Sequence, residues 1–194
     1  MTLQANLGKQ TFTEALIIAQ GHDAQVLGRK FKVNQGTLAA GTLVALNASR
    51  EIVPYAEAEQ VIGTGDAEVK DFSDSLDQYP VEPGSVEVTD GVETFSDDYN
   101  GRLTGSAAGT GLVNYETGAI QVSFNAAPAL AAAVTAACKN RIKGVVQRDV
   151  DTTKEASGLV VVHGAVVAEA LKMGGVAPSV DILEQLELMG IYPL

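Results

Sequence analysis

The run AIQVSF at residues 119–124 sets Ile120, Val122 and Phe124 in alternation with Gln121 and Ser123. Side chains of a strand point to opposite faces with a period of two, so this pattern predicts a strand with one apolar and one polar face. Glu116-Thr117-Gly118 precedes it as a turn, and GTGLVNY before that turn supplies a partner strand. The same texture runs back through the middle of the chain. SVEVT and VETF flank Asp90-Gly91, among the strongest short-range hairpin signals, and DDYNGRLTG offers another turn at Asn100-Gly101. Pro83-Gly84 marks the lead-in to the first hairpin. Turn signals at intervals of roughly eight to twelve residues predict an antiparallel sandwich or small barrel.

On either side the pattern changes. FKV (31–33), TLVAL (42–46) and EIVPY (51–55) read as short strands, with LNASRE connecting the last two. Pro54 argues for an edge or the end of its strand. IKGVVQ (142–147) and GLVVVHGAVV (158–167) are further strands, separated by the turn-rich DVDTTKEAS. APSVDILEQLELMGIYPL then reads as a helix, with Ser179 at the N-cap and Asp181 near the positive end of the macrodipole. Val180, Leu183 and Leu186 recur at helical spacing, Gly190 suits C′, and Pro193 prevents continuation. This apolar face is expected to pack on its own unit, with Ile182 and Leu186 as the positions where part of it meets another subunit. The fold expected is mainly β, a β-rich α+β chain. Residues 1–59 and 140–194 form a small β core with a C-terminal helix, interrupted by an antiparallel sandwich or barrel-like module over 60–139.

Composition agrees with many short strands: 20 Gly among 194 residues, 5% aromatics and no Trp. Net charge is −11, which disfavours nucleic acid binding through a broad basic surface. The charge is unevenly placed. From Glu57 to Asp98 there are thirteen acidic residues and one basic residue, Lys70. Residues 1–50 hold five basic and two acidic residues, and Lys139–Lys154 holds five basic residues against Asp149 and Asp151. The middle is therefore expected to face outward. The opening residues carry no basic leader before an apolar run, so no signal peptide is expected. AAPALAAAVTAAC is too short to span a bilayer and contains Pro128, so no membrane insertion is expected.

Candidate chemistry is sparse. Cys138 is the only cysteine, which removes a disulfide framework and a thiolate metal site. His22 and His163 are the only histidines, and His163 lies between LVVV and GAVV, where a structural role is expected. GSAAG (105–109) lacks the nucleophile-elbow spacing, and GTGDAE (63–68) lacks the third glycine of a dinucleotide loop. Aligning Gly101 with the sixth position of a calcium loop puts Ser96 first and Ala107 twelfth, so both key carboxylates are missing. Asp149 and Asp151 are the nearest to an acid–base pair. These observations point to a non-enzymatic protein with no cofactor or metal, whose work is to present a surface.

GTLAAGTLVALNASREIVPYA, IKGVVQRDVDTTKEASGLVVVHGAVVAEAL and the ending APSVDILEQLELMGIYPL together resemble the lambda-type head decoration proteins of tailed bacteriophages. The stretch from VIGTGDAEVKDFS to SFNAAP is similar to a β-module inserted into various phage structural proteins, which often carries Gly where this chain has Ala67. The resemblance implies a virion protein on the exterior of an expanded capsid, bound to the major capsid protein as homotrimers at threefold or quasi-threefold positions. It would cement the head against internal DNA pressure. It also implies an N-terminal arm ordered by the shell. TFTEALIIA (11–19) is suited either to pack on its own domain or to add as a strand to a capsid sheet edge, the second with Thr11, Phe12, Leu16, Ile17 and Ile18 as contacts. The alternative is a tail, baseplate or fibre component that recognises a host surface or glycan, with Tyr79, Tyr99 and Tyr115 as stacking faces.

Overall fold

A computed structural model of the chain describes residues 17–194. The first strands are β1 (Gln25–Lys30), β2 (Thr37–Leu38), β3 (Leu43–Leu46) and β4 (Ile52–Pro54). The middle of the chain forms β5 (Glu57–Thr64), β6 (Asp71–Ser75), β7 (Glu87–Thr89), β8 (Thr94–Asp97), β9 (Arg102–Gly105), β10 (Thr110–Val113), β11 (Ala119–Ser123) and β12 (Ala133–Lys139). The last part adds β13 (Ile142–Val146), β14 (Val150–Asp151), β15 (Ser157–Val166), the helix α1 (Val180–Leu188) and β16 (Ile191–Pro193). The chain is mainly β, with α1 its C-terminal helix.

The outer segments build a base unit around the sheet β1-β15-β13-β3-β4, with β16 parallel to β15. One sheet face buries Val44, Val146 and Val160 with Phe31 and Ile52, beneath the small β2–β14 pair. The other buries Leu43, Ala45, Val145 and Val161 against Leu171 and the helix residues Ile182 and Leu186. A bridge from Phe31 to Ile52 carries the end of β1 round to β4, so the sheet curls over its first cluster. Ser179 occupies the N-cap of α1 without a side-chain capping bond, its carbonyl accepting from Leu183 N–H. Gly190 ends the helix at φ +82°, and a Cβ there would lie 2.5 Å from His163 Nδ1. The helix stop thus also makes room for an imidazole.

Strands β5 to β12 form a single eight-stranded, nearly closed, barrel-like sheet in the order β5-β12-β7-β8-β9-β10-β11-β6. Its interior holds Val88, Phe95, Leu103, Ile120, Val122, Phe124 and Val134, none of them part of the base clusters. Phe124 meets Phe95 and Phe72 edge-on, at centroid distances of 4.8 and 5.7 Å. At the seam the Gln60 side chain stands in for a ladder, donating to Ser75 O (3.1 Å) and accepting from Asp77 N–H (2.6 Å). The Phe72 ring lies over Gly63, where a Cβ would sit 2.3 Å from it. An aromatic ring covering a strand glycine shields the edge that closure leaves.

The Asp90-Gly91 hairpin differs from expectation. Thr89 pairs with Thr94, so the connection is the four residues Asp90–Glu93 rather than a two-residue turn. Asp90 Oδ1 accepts from Val92 and Glu93 N–H, and this holds the longer loop. The first connection of the barrel is also unusual, because Ala67 adopts φ +65°. Asp66 Oδ1 stabilises it by accepting from the N–H groups of Val69 and Glu68, which hold the Asp66 carboxyl below the usual range. A Cβ in the left-handed region costs roughly 1–2 kcal/mol, partly offset by the greater backbone entropy glycine loses on folding. Ala67→Gly is therefore expected to stabilise the chain by roughly 0.5–1 kcal/mol in urea unfolding. Unchanged or lower stability would contradict this reading of the turn.

Candidate functional site

The predicted arm contacts divide. Thr11, Phe12 and Leu16 lie outside the described residues. Ile17 is 2% exposed and packs in the base core, while Ile18 bridges Val166. Ala19 N–H donates to Ala165 O (3.0 Å) and Val167 N–H donates to Ile17 O (2.9 Å). Residues 17–19 join the end of their own β15 through a single bridge at Ile18. Ile17 is taken up internally, because its side chain is worth more in a dry core than on a surface.

Ile182 and Leu186, the positions suggested for a subunit contact, lie inside the base unit. Both are buried on the face α1 turns to its own sheet. The apolar surface this helix exposes is Val180 and Leu188, the latter 90% exposed. The stacking tyrosines also separate. Tyr115 donates to Asp97 Oδ1 (2.5 Å) and accepts from Gly101 N–H, and burial together with Asp97 pushes its pKa up to about 12. Tyr79 packs against the barrel core, and only Tyr99 presents an open face, at 72% exposure.

Groups with chemical potential serve the fold where they are described. Cys138 is buried, and burial pushes its thiol up to about 11, away from the thiolate. Asp149 Oδ1 accepts from Ala40 N–H, whereas Asp151 pairs with Lys154 Nζ (2.7 Å) and accepts from Thr153. Those contacts, Lys154 first, hold the Asp151 carboxyl at about 2. Among the described residues, no three His, Cys, Asp or Glu side chains gather as a metal site. The two histidines do meet, His22 edge-on to His163 at 4.9 Å and stacked on Tyr192 at 5.2 Å. This small aromatic cluster ties the start of the described chain to β16.

Two carboxylates organise the molecule, and neither had a sequence signal. Glu82 joins the units: Tyr55 Oη–H donates to its Oε2 (2.8 Å), and Gln185 Nε2 on α1 donates to its Oε1. Burial first, then the Glu82 charge, push the Tyr55 hydroxyl pKa upward, so it remains a donor. Around it Arg141 N–H donates to Pro80 O (3.0 Å), and Glu82 N–H donates to Lys139 O (2.8 Å). Glu93, only 4% exposed, sits in the barrel. Its Oε1 accepts from Gly109 (2.7 Å) and Ala107 (3.2 Å) N–H, and its Oε2 from Asn125 N–H (2.9 Å). One side chain thereby ties the β7–β8 loop to the β9–β10 loop and to the end of β11.

No protein-family model, curated protein or solved structure matches the chain.

The Glu93 arrangement is directly testable. Gln would present an NH2 group to N–H donors and remove charge-assisted bonds from a buried position. Glu93→Gln is expected to destabilise by roughly 2–4 kcal/mol in urea unfolding, while Glu87→Gln on the exposed face of β7 stays within about 0.5 kcal/mol of wild type. Equal effects would remove Glu93 from its organising role.

Proposed function

We propose that this chain is a structural virion protein that binds the exterior of an expanded phage capsid. It sits as homotrimers at threefold or quasi-threefold positions, contacts the major capsid protein and stabilises the head against internal DNA pressure. One observation carries the assignment of faces. Residues 57–139 hold fourteen acidic and three basic residues, the whole net charge of −11, while the remainder is balanced at ten of each. A barrel this acidic repels its own copies, so in a crowded lattice it is best placed outward in solvent. A charge-balanced base approaches a protein shell without that cost.

The connectivity supports the same orientation. Residues 1–16 lead into Ile17, which is anchored in the base rather than the barrel. In this reading residues 1–16 are the arm, and they join the chain on the unit proposed to face the shell. Symmetric attachment through several such arms converts weak single contacts into tight binding. Among the described residues no helix is long and apolar enough to cross a membrane. The alternative, a tail, baseplate or fibre component, places the same two units elsewhere on a virion.

Deleting residues 2–16 is expected to abolish co-sedimentation with expanded, undecorated capsids while leaving the circular dichroism and unfolding midpoint nearly unchanged. The cut stops before Ile17 because Ile17–Ala19 belong to the fold. Wild-type occupancy by the truncated chain would overturn the arm mechanism, and failure of the full chain to bind would overturn the capsid reading itself.

A further inference from the structure

We propose that the outward face of β9, β10, β11 and β6 is a carbohydrate-binding groove for a neutral oligosaccharide. This rests on the barrel alone and does not depend on the capsid reading. The face is an open concavity of about 760 Å³. Strand register arranges its side chains in two cross-strand rows. One runs Asp71, Ser123, Thr110, Thr104, and the other runs Ser73, Gln121, Leu112, Arg102. With strands about 4.8 Å apart, four of them span about 14 Å, room for a short oligosaccharide lying across them.

Several polar side chains of the barrel connections are spent on the backbone. Asp66, Asp90, Asp98 and Asn114 in the loops, and Asp97 at the end of β8, all accept backbone N–H groups. On the groove face, none of the polar side chains in the two rows makes a hydrogen bond or ion pair within the protein. Seven side chains with free donors and acceptors therefore converge on one concavity, around Leu112 at 57% exposure.

The chemistry selects the ligand. Hydroxyls of Ser and Thr both donate and accept, as sugar hydroxyls do. The Gln121 amide, the Arg102 guanidinium and the Asp71 carboxylate are planar groups suited to bidentate bonds with neighbouring hydroxyls. Leu112 offers an apolar floor for the C–H face of a pyranose ring. Other occupants fit poorly. One Arg and one Asp make the groove locally neutral within an acidic unit, which disfavours polyanions such as nucleic acid. A peptide strand finds little free backbone ladder here, because β9, β10 and β11 are paired on both edges and the outer edge of β6 faces the Gln60 side chain of β5. A lipid surface would need more exposed apolar area than one leucine.

The test is an NMR titration of the ¹⁵N-labelled full chain with maltotriose, chitotriose, lacto-N-tetraose and a bacterial mannotriose, with sialyllactose and a heparin tetrasaccharide as charged comparisons. The expected result is saturable shifts with at least one neutral probe, centred on residues 71–73, 102–104, 110–112 and 121–123. Gln121→Ala and Arg102→Ala should each weaken that binding roughly tenfold with unfolding midpoints unchanged, whereas Val92→Ser on the β7–β8 loop should leave it intact. No saturable shift with any neutral probe, shifts mapping outside the groove, or binding indifferent to both groove variants would each overturn the proposal. So would a preference for the charged probes.

Discussion

The chain leaves the base unit and returns to it through one pair of adjacent antiparallel strands, and the rest of the architecture follows from that constraint. β5 and β12 pair from Glu57 opposite Lys139 to Thr64 opposite Ala133. Everything between them must complete its own hydrogen bonding and bury its own core. It does so by curling until β6 approaches β5, where Gln60 and Phe72 finish the seam. The Glu57–Lys139 ion pair at 3.6 Å is exposed and contributes little. The joint is fixed instead by Glu82, whose two carboxylate oxygens are held by Tyr55 from the root of β5 and by Gln185 from α1. This contact adds to the backbone bonds from Arg141 N–H to Pro80 O and from Glu82 N–H to Lys139 O at the same joint.

That separation lets the two units take opposite electrostatic characters without conflict. Acidic side chains in the barrel loops are stabilised locally: Asp98, for example, is held below the usual carboxylate range by Asn100 and Arg102 N–H groups. The base needs no such concentration of charge and commits its N-terminal segment and α1 to a common apolar core. A unit that approaches another surface and a unit that stays in solvent can thus be optimised independently within one chain. The polar face of AIQVSF belongs to the second kind, with its apolar side closing the barrel and its polar side left open.

Strands with a strong period or a dense Val content were legible. β3, β4 and β13 fall within the apolar runs that predict them, β15 matches its run to one residue at each end, and the turns at Asn100-Gly101 and Glu116-Thr117-Gly118 connect the expected strands. The strands that escaped notice carry weak side-chain signals. β6 is DFSDS with one apolar residue, β5 opens EAEQ, and β1 is QVLGRK. Each is positioned by its neighbours in the sheet rather than by intrinsic preference. The Asp90-Gly91 signal named the right hairpin but the wrong loop, because Glu93 is drawn inward to backbone donors at Ala107, Gly109 and Asn125, all distant in sequence. Glu82 was hidden for the same reason: its partners are 27 and 103 residues away. On α1 the spacing of apolar residues was visible, but which of them face inward depended on a sheet the helix alone does not specify.

The most direct test of the proposed capsid role is electron cryo-microscopy of expanded, undecorated phage capsids incubated with the full chain. The account predicts density at threefold or quasi-threefold positions, with the base unit against the shell and the acidic barrel pointing into solvent. Heads without added density, together with the protein located on the tail or baseplate of intact virions, would contradict it.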